Sequence, residues 1–233
     1  MKKINRIRLY SFVIIGLFII LTNSCKKDDN NNIPSTVKDI DGNIYHTVTI
    51  GTQVWLAENI KTTHYCNGDS IPNGPTGTSW YNQKTGSQCD YGNKPSNGLI
   101  YGKLYNWYAV DDSRKLCPTG WHVATNDEWT SLSNYLGGDS IAGGKLKENG
   151  VTHWAEPNVG ANNLSGFTAL PGGGRTGEFA VLGYLGIYWT STEGDTVCSC
   201  AWRRALHSDD SILISNGLQG KSWGMSVRCI KDN

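Results

Sequence analysis

The chain has 233 residues, and its 21 lysines and arginines nearly balance its 20 aspartates and glutamates. A formal charge of +1 excludes the strongly basic surface that nucleic-acid binding requires, and the length suits one domain or one domain with an extension. The 28 glycines, 9 tryptophans and 11 tyrosines favour short strands and structured loops over a helical bundle.

The first 24 residues have the pattern of a secretion signal, with a basic start followed by an apolar run at residues 12–21. This run is shorter than the ~20 residues that a membrane span needs. Residues 1–24 are therefore predicted to be a cleaved signal peptide, which places the domain where disulfides persist. Cleavage removes four of the 21 basic residues and no acidic one, which leaves 17 against 20 and a formal charge of −3.

The residues before Cys25 resemble the lipobox of bacterial lipoproteins, in which the cysteine becomes the acylated N-terminus. The alternative is ordinary signal cleavage that leaves a free cysteine. Residues 26–29 resemble the signal that directs lipoproteins of the Bacteroidota to the outer face of the outer membrane. Residues 25–36 are thus predicted to be a lipidated cysteine and a flexible tether, which makes the membrane a partner through the lipid anchor.

The domain is predicted to begin with a β-hairpin at residues 37–50, where apolar and polar residues alternate around an Asp-Gly-Asn turn at 41–43. A strand at 52–56 follows. Residues 61–98 are polar and contain several glycines, which predicts long ordered loops. The spacing of Leu104, Tyr105 and Tyr108 predicts a short helix within 99–110.

A second helix is predicted to begin at Thr125, because Thr125 and Glu128 have the spacing of a capping box. Apolar residues follow on one face, and two glycines at 137–138 end the helix. A further short helix is predicted at 142–148. Beyond residue 150 we expect loops and strands, with the strands at 166–170, 188–191, 201–206, 212–215 and 226–230.

Six ordered motifs together resemble the Fibrobacter succinogenes major paralogous domain. They are IGTQVWLAEN (50–59), YGKLYNWYAV (101–110), CPTGWHVATNDEW (117–129), GFTALPGG (166–173), YWTSTE (188–193) and SVRCIKD (226–232). The resemblance covers nearly all of residues 37–233. It implies an α+β, C-type-lectin-like fold with short strands, two short helices and long ordered loops, in a secreted or surface protein. It assigns no activity.

The C-type-lectin-like resemblance also implies a disulfide. In such a fold the first and last strands pair, and Cys117 and Cys229 lie at those two places. A second bond, between Cys66 and Cys89, would close the loop region. Six cysteines besides Cys25 allow 15 pairings, so other connectivities stay open.

Cys198 and Cys200 are separated by one serine. On a strand they would share one face, where a mutual bridge would be strained. A reactive thiol pair, a metal-binding fragment or bonds to other cysteines therefore remain open. Formylglycine-generating enzymes, which elaborate the same fold, use a cysteine pair at the active site, although nothing else here matches their motif.

No catalytic residue and no cofactor is predicted. The five histidines are scattered, and neither a His-Glu-x-x-His nor a Gly-x-Ser-x-Gly pattern occurs. Glu156 and Asn158 are weak metal candidates, because a Glu-Pro-Asn triplet binds calcium and mannose in sugar-binding C-type lectins. The partner Trp-Asn-Asp motif is absent, so a structural turn is favoured; Asn162 and Asn163 would be the further ligands.

The tryptophans are predicted to fill a loop-rich core, because large rings bury much apolar area; the alternative is a platform for sugar rings. The chain is thus predicted to be a surface-anchored lipoprotein of the outer membrane, with a non-enzymatic domain for binding or adhesion. Its ligand would be a glycan or a protein of the envelope or host. The alternatives are a structural envelope protein and an enzyme related to the formylglycine-generating enzymes.

Overall fold

The computed structural model describes residues 34–194 and 197–232. The predicted signal peptide, the lipidation of Cys25 and most of the tether lie outside the described residues. In the described part, no helix has both the length and the apolar character to cross a membrane.

The described residues form an α+β fold, in which short strands predominate and the helices are short. The strands are β1 (Thr36–Lys38), β2 (Ile44–Ile50), β3 (Gln53–Leu56), β4 (Gln88–Cys89), β5 (Leu104–Tyr105), β6 (Trp121–Val123), β7 (Gly174–Arg175), β8 (Phe179–Ala180), β9 (Leu185–Glu193), β10 (Cys200–His207), β11 (Leu213–Gly220) and β12 (Cys229–Lys231). The α-helices are α1 (Pro95–Tyr101), α2 (Trp107–Val110), α3 (Asn126–Tyr135) and α4 (Asp139–Leu146), and single 3-10 turns lie at Gly77–Trp80 and Tyr91–Asn93.

The largest sheet has the strand order β1-β2-β3-β12-β6. The predicted hairpin is confirmed as β1 and β2, and its turn is held by Asp39, whose Oδ1 accepts hydrogen bonds from the backbone N of Asp41 and Asn43 at 3.0 and 2.9 Å. The pairing expected for the strands at Cys117 and Cys229 is present as β6 and β12, although β1, the first strand of the described chain, does not pair with β12. β12 lies between β3 and β6, because its buried Ile230 pairs with the buried Trp55 of β3, whereas β1 is a largely exposed edge strand.

A second sheet has the order β11-β10-β9 and contains three of the predicted strands, each longer than expected. The last predicted strand, at 226–230, is shorter and is shifted to β12. No strand forms at 166–170, where the prediction is wrong. Thr168 has a φ of +52° there, and its backbone N donates to Asn163 Oδ1 at 2.8 Å, so the segment turns back on itself.

The predicted capping box of α3 is confirmed. Glu128 N donates to Thr125 Oγ1 at 3.1 Å, and Thr125 N donates to Glu128 Oε2 at 2.7 Å. The next predicted helix is α4, which begins three residues early at Asp139. The helix predicted within 99–110 is wrong at its centre, since Gly102 (φ +77°) ends α1 and β5 then pairs with β4 before α2 begins.

The core is built largely from tryptophan, as predicted. Trp55, Trp129 and Phe167 pack edge to face, with ring centroids 5.1 to 5.5 Å apart. The tryptophans with fully buried side chains are Trp55, Trp80, Trp107, Trp129, Trp154 and Trp189. Trp121 is buried as well, so only Trp202 and Trp223 among the nine are partly exposed.

Residues from different motifs meet around a buried arginine. Arg228 Nε donates to Asn59 Oδ1 at 2.7 Å, and its Nη1 donates to the carbonyl oxygens of Leu56 and Phe167 at 2.8 and 2.7 Å. The guanidinium also lies 4.1 Å from the Phe167 ring centroid. Burial lowers the pKa of Arg228 to about 10. Three of the six motifs are therefore joined by structural contacts inside the core.

The Cys117–Cys229 disulfide is confirmed, and it fixes β12 beside the segment that leads into β6. The predicted Cys66–Cys89 bond is wrong, since both cysteines are free. Cys89 is fully buried beneath Trp80, whereas the Cys66 Sγ lies 2.6 Å from the carbonyl oxygen of Cys117. The two thiols therefore occupy different environments.

Cys198 and Cys200 form a disulfide with each other, against the expectation that a mutual bridge is unfavourable. The expectation assumed that both residues lie on one strand. In the structure β10 begins only at Cys200, and Ser199 has a φ of +48° in the preceding turn. This turn brings the two Cα atoms to 5.2 Å, a separation that a disulfide accommodates.

Candidate functional site

The Glu-Pro-Asn segment forms a structural turn. Glu156 is exposed, whereas Asn158 is buried and its Nδ2 donates to the carbonyl oxygens of Glu148 and Gly150 at 3.0 and 2.6 Å. The structure therefore does not direct these two side chains to a common point.

The neighbouring asparagines are also engaged in turns. Asn162 Oδ1 accepts from the backbone N of Leu164 at 3.1 Å, and Asn163 Oδ1 accepts from that of Thr168 at 2.8 Å. Both oxygens that could have joined a metal site thus stabilise the local backbone.

A buried lysine lies beneath this segment. Lys147 Nζ donates to the carbonyl oxygens of Val159, His207 and Asp210 at 3.0, 2.8 and 2.7 Å, and the side chain is fully buried. Burial lowers the pKa of the ammonium group to about 8. Through these hydrogen bonds the Lys147 ammonium group joins the 156–163 segment to the turn after β10.

One cluster of side chains that could ligate a metal ion was not predicted from the sequence. Ligand atoms of His207, Asp209 and Asp210 lie within 4.8 Å of one another. Asp209 is highly exposed, and Asp210 Oδ1 already accepts from the backbone N of Ile212 at 2.8 Å. The Lys147 ammonium, bonded to the backbone of the same turn, opposes a second cation there.

Two histidines of the described chain, His122 and His64, pair with carboxylates in arrangements that stabilise local structure. His122 bridges Glu128 of the capping box at 3.0 Å and Asp232 at 2.7 Å, and the two carboxylates raise its pKa. His64 Nδ1 contacts Asp41 at 2.5 Å and Thr63 Oγ1 at 3.1 Å. Since one ring nitrogen makes both contacts, His64 does not relay a proton between them.

The free thiols are poorly suited to nucleophilic chemistry. Burial raises the pKa of Cys66, and it raises that of Cys89 to about 11 although the nearby Arg175 acts in the opposite direction. The thiolate is the reactive form of cysteine, so both groups are predominantly inert near neutral pH.

A cleft of about 540 Å³ lies on the surface where three loops meet. One loop is the 3-10 turn at Gly77–Trp80 with the residues after it, the second is the tip of the β7–β8 hairpin, and the third follows β11. The residues that line the cleft are Thr78, Tyr81, Asn82, Thr176, Gly177, Glu178 and Trp223.

A buried arginine holds two of these loops together. Arg175 Nη2 donates to the carbonyl oxygen of Pro75 at 2.7 Å, and Nε donates to that of Gly177 at 3.3 Å. Its guanidinium lies between the rings of Trp80 and Phe179, at 4.5 and 4.6 Å from their centroids. These contacts fix the 3-10 turn against the hairpin.

The third loop is positioned by backbone pairing. Arg175 N donates to the Gly224 oxygen at 3.0 Å, and Gly224 N donates to the Arg175 oxygen at 2.8 Å. A Cβ at residue 224 would lie 2.9 Å from Cζ2 of Trp80, so only glycine allows this approach. Trp223, the preceding residue, is thereby held at the edge of the cleft with part of its ring exposed.

The side chains of this cleft have free surfaces and free polar groups that face solvent. Tyr81 is 55% exposed, and neither its ring nor that of Trp223 stacks on another ring of the described chain. Within residues 34–194 and 197–232, the side chains of Asn82 and Glu178 make no hydrogen bond or ion pair. Aromatic faces and free polar groups therefore converge without a partner inside the protein, which suits a ligand site.

A second cleft, of about 430 Å³, is lined by charged side chains, most of which already pair within the protein. Its Lys103 pairs with Asp90 at 2.8 Å, and its Asp41 is engaged by His64 and by the backbone N of Thr63 at 2.5 Å each. Because these charged groups already have partners, the cleft between Tyr81 and Trp223 is the better candidate.

Sequence patterns do not predict this site. They predict ordered loops at residues 61–98 and core positions for the tryptophans, and the second prediction is correct for Trp80 but only partly so for Trp223. The available signal was the run Trp80-Tyr81-Asn82 in a polar loop. The β7–β8 hairpin and Trp223 lie some 100 and 140 residues after this run in the chain. Local sequence patterns do not show that segments so far apart meet in the fold.

Comparisons with known proteins identify one relationship. The family model described as Fibrobacter succinogenes major domain matches residues 48–231. No curated protein and no solved structure matches the chain.

Proposed function

This chain belongs to the Fibrobacter succinogenes major domain family, and from that premise we propose that it is a surface-displayed lipoprotein whose domain binds a ligand. The ligand site is the cleft between Tyr81 and Trp223. The proposal rests above all on the convergence of exposed aromatic and free polar side chains in that cleft.

The anchor belongs to the same proposal. The lipobox-like sequence at Cys25 and the segment 26–29 support acylation and display on the outer face of the outer membrane. About ten residues separate Cys25 from β1, and acyl chains can hold a folded domain at a membrane surface across such a tether.

A binding role, without catalysis, is supported by the chemistry of the described residues. Glu178 is the only acidic side chain among the residues that line the cleft, and no histidine or cysteine is among them. Cys198 and Cys200 are joined in a disulfide, so they do not offer the free cysteine pair of a formylglycine-generating enzyme.

A C-type-lectin-like fold is part of the proposal. The first and last strands lie in the same five-stranded sheet, and long ordered loops connect β3 to β6 and α4 to β9. Such a scaffold displays loops at one surface, where recognition sites concentrate.

To test the proposal, cells that display the full-length protein are assayed for binding to immobilised glycans and surface proteins. Tyr81→Ala and Trp223→Ala should weaken binding at least about 10-fold, the loss of roughly 1.4 kcal/mol. Tyr184→Ala is the matched control, because Tyr184 is 59% exposed and lies outside the cleft. Binding that is unchanged in both cleft variants would place the ligand elsewhere.

A further inference from the structure

We infer that the cleft binds a neutral carbohydrate without a metal ion. One sugar ring would stack on Trp223 or Tyr81, and its hydroxyl groups would bond to Glu178 and Asn82. This inference rests on the proposed function and names the chemical class of its ligand.

The aromatic pair supplies the first part of the argument. The face of an aromatic ring carries partial negative charge, and the C–H groups on the face of a pyranose carry partial positive charge, so the two attract. Tyr81 is 55% exposed, and Trp223 is half-buried against the core while its remaining ring surface lines the cleft. A ring held in this way is already ordered, so stacking on it costs little conformational entropy.

The polar groups supply the second part. The Glu178 carboxylate accepts hydrogen bonds, the Asn82 amide both donates and accepts, and the hydroxyls of Thr78 and Thr176 do both. Neighbouring sugar hydroxyls present this mixture of donors and acceptors. None of these side chains has a hydrogen-bond partner within the described part of the chain, so binding would break no internal bond.

Charge decides between neutral and acidic carbohydrates. Glu178 is the only charged side chain among the described residues that line the cleft. The nearby Arg175 is 1% exposed and faces two aromatic rings and two carbonyl oxygens, so its charge does not present a hydrogen-bonding surface to the ligand. A carboxylate or sulfate on the sugar would meet Glu178 without a cationic side chain among the residues that line the cleft.

Metal independence follows from the same residues. Calcium sites require several oxygen ligands, usually with more than one carboxylate. The cleft offers the single carboxylate of Glu178, whereas Asn158 uses its amide in a turn elsewhere. The sugar would therefore be held by direct hydrogen bonds, and EDTA should not release it.

The test is calorimetric titration of the full-length protein in a detergent that has no sugar headgroup. The probes are gluco-, manno-, galacto- and xylo-oligosaccharides, and oligouronates of matched length. We expect at least one neutral series to bind with EDTA present, and the oligouronates to bind at least about 10-fold more weakly. Glu178→Gln should narrow the difference between neutral and acidic probes, because it removes the repulsion while it keeps an acceptor oxygen.

Variants make the result specific to the cleft. Tyr81→Ala should weaken binding of the neutral probe at least about 10-fold, and Tyr184→Ala should not. Trp223→Phe retains a ring against the core and should bind, whereas Trp223→Ala should not, provided that its melting temperature shows that it folds.

Three outcomes would overturn the inference: no neutral oligosaccharide binds, acidic probes bind best, or binding requires a divalent cation. A protein ligand that depends on Tyr81 while every sugar fails would leave the proposed function intact and refute the carbohydrate class. Sugar binding that is insensitive to all cleft variants would refute the site itself.

Discussion

At the scale of single residues, a buried lysine supplies a positive charge beneath the Glu-Pro-Asn segment, where the sequence offers only weak metal candidates. Lys147 Nζ donates to three carbonyl oxygens, as a bound cation would be coordinated by them. Local sequence patterns do not predict this role, because nothing near Lys147 in the chain distinguishes it from a surface lysine.

Lys147→Met should destabilise the fold by about 2–4 kcal/mol at neutral pH, because three buried carbonyl oxygens lose their donor. The pKa of Lys147 falls from its ordinary 10.5 to about 8 on folding. Between these values the unfolded chain binds more protons, so this lysine makes the native state more stable as pH rises. The stability difference between wild type and variant should therefore widen from about pH 8 to pH 10.5 in urea unfolding.

A matched control is Lys84→Met, which removes an exposed lysine. It should change the free energy of unfolding little at neutral pH, as most exposed substitutions do. A Lys147→Met variant whose stability difference from wild type does not change between pH 8 and 10.5 would show that this amine does not titrate in the window.

At the scale of elements, the structures that local sequence patterns encode were predicted correctly, whereas strand pairing between distant segments was not. The capping box of α3 and the hairpin of β1 and β2 are each encoded within a few residues, and both are confirmed. By contrast, Leu104 and Tyr105 were predicted to be helical yet form β5, because they pair with Cys89 and Gln88, which lie 15 and 17 residues earlier. Tertiary pairing here outweighs the local pattern.

The disulfide predictions also differ in outcome, since one bond is present and the other is not. The Cys117–Cys229 bond was predicted through the family resemblance and is present, and the strand that follows Cys117 pairs with the strand that contains Cys229. Cys66 and Cys89 could not be assigned from spacing, since the turn at Lys115 holds Cys66 by a backbone hydrogen bond while β4 buries Cys89.

Thr125→Ala should lower the free energy of unfolding by about 1 kcal/mol and leave the fold unchanged. The variant loses the acceptor for Glu128 N and also the hydroxyl that donates to Glu128 Oε2 at 2.9 Å. Thr125→Ser should restore most of this stability, and Ser131→Ala, which removes an exposed hydroxyl within α3, should cost little. Equal urea midpoints for Thr125→Ala and wild type would contradict the cap.

At the scale of the whole molecule, the family motifs and the candidate site occupy different parts of the chain. Motif residues build the core: Trp107 Nε1 donates to the Thr190 oxygen at 3.0 Å, and Trp189 Nε1 donates to the Tyr105 oxygen at 2.9 Å. All the residues that line the cleft lie outside the six motifs. The motifs therefore build the scaffold, and the proposed ligand site is formed by loops that lie outside them.

The proposed lipid anchor at Cys25 would hold the domain at a membrane surface, and it gives the last prediction. Cys25→Ala should abolish incorporation of a clickable fatty acid, and the protein should be released from membranes or left unprocessed, because acylation needs the cysteine thiol and stable attachment needs the acyl chains. Cys66→Ala, which removes a free thiol within the domain, should be labelled like wild type. Protease added to whole cells should digest the wild-type domain if segment 26–29 directs it outward. Equal labelling of Cys25→Ala and wild type would refute the lipoprotein proposal, whereas labelled protein that resists protease would confine it to an inward-facing leaflet.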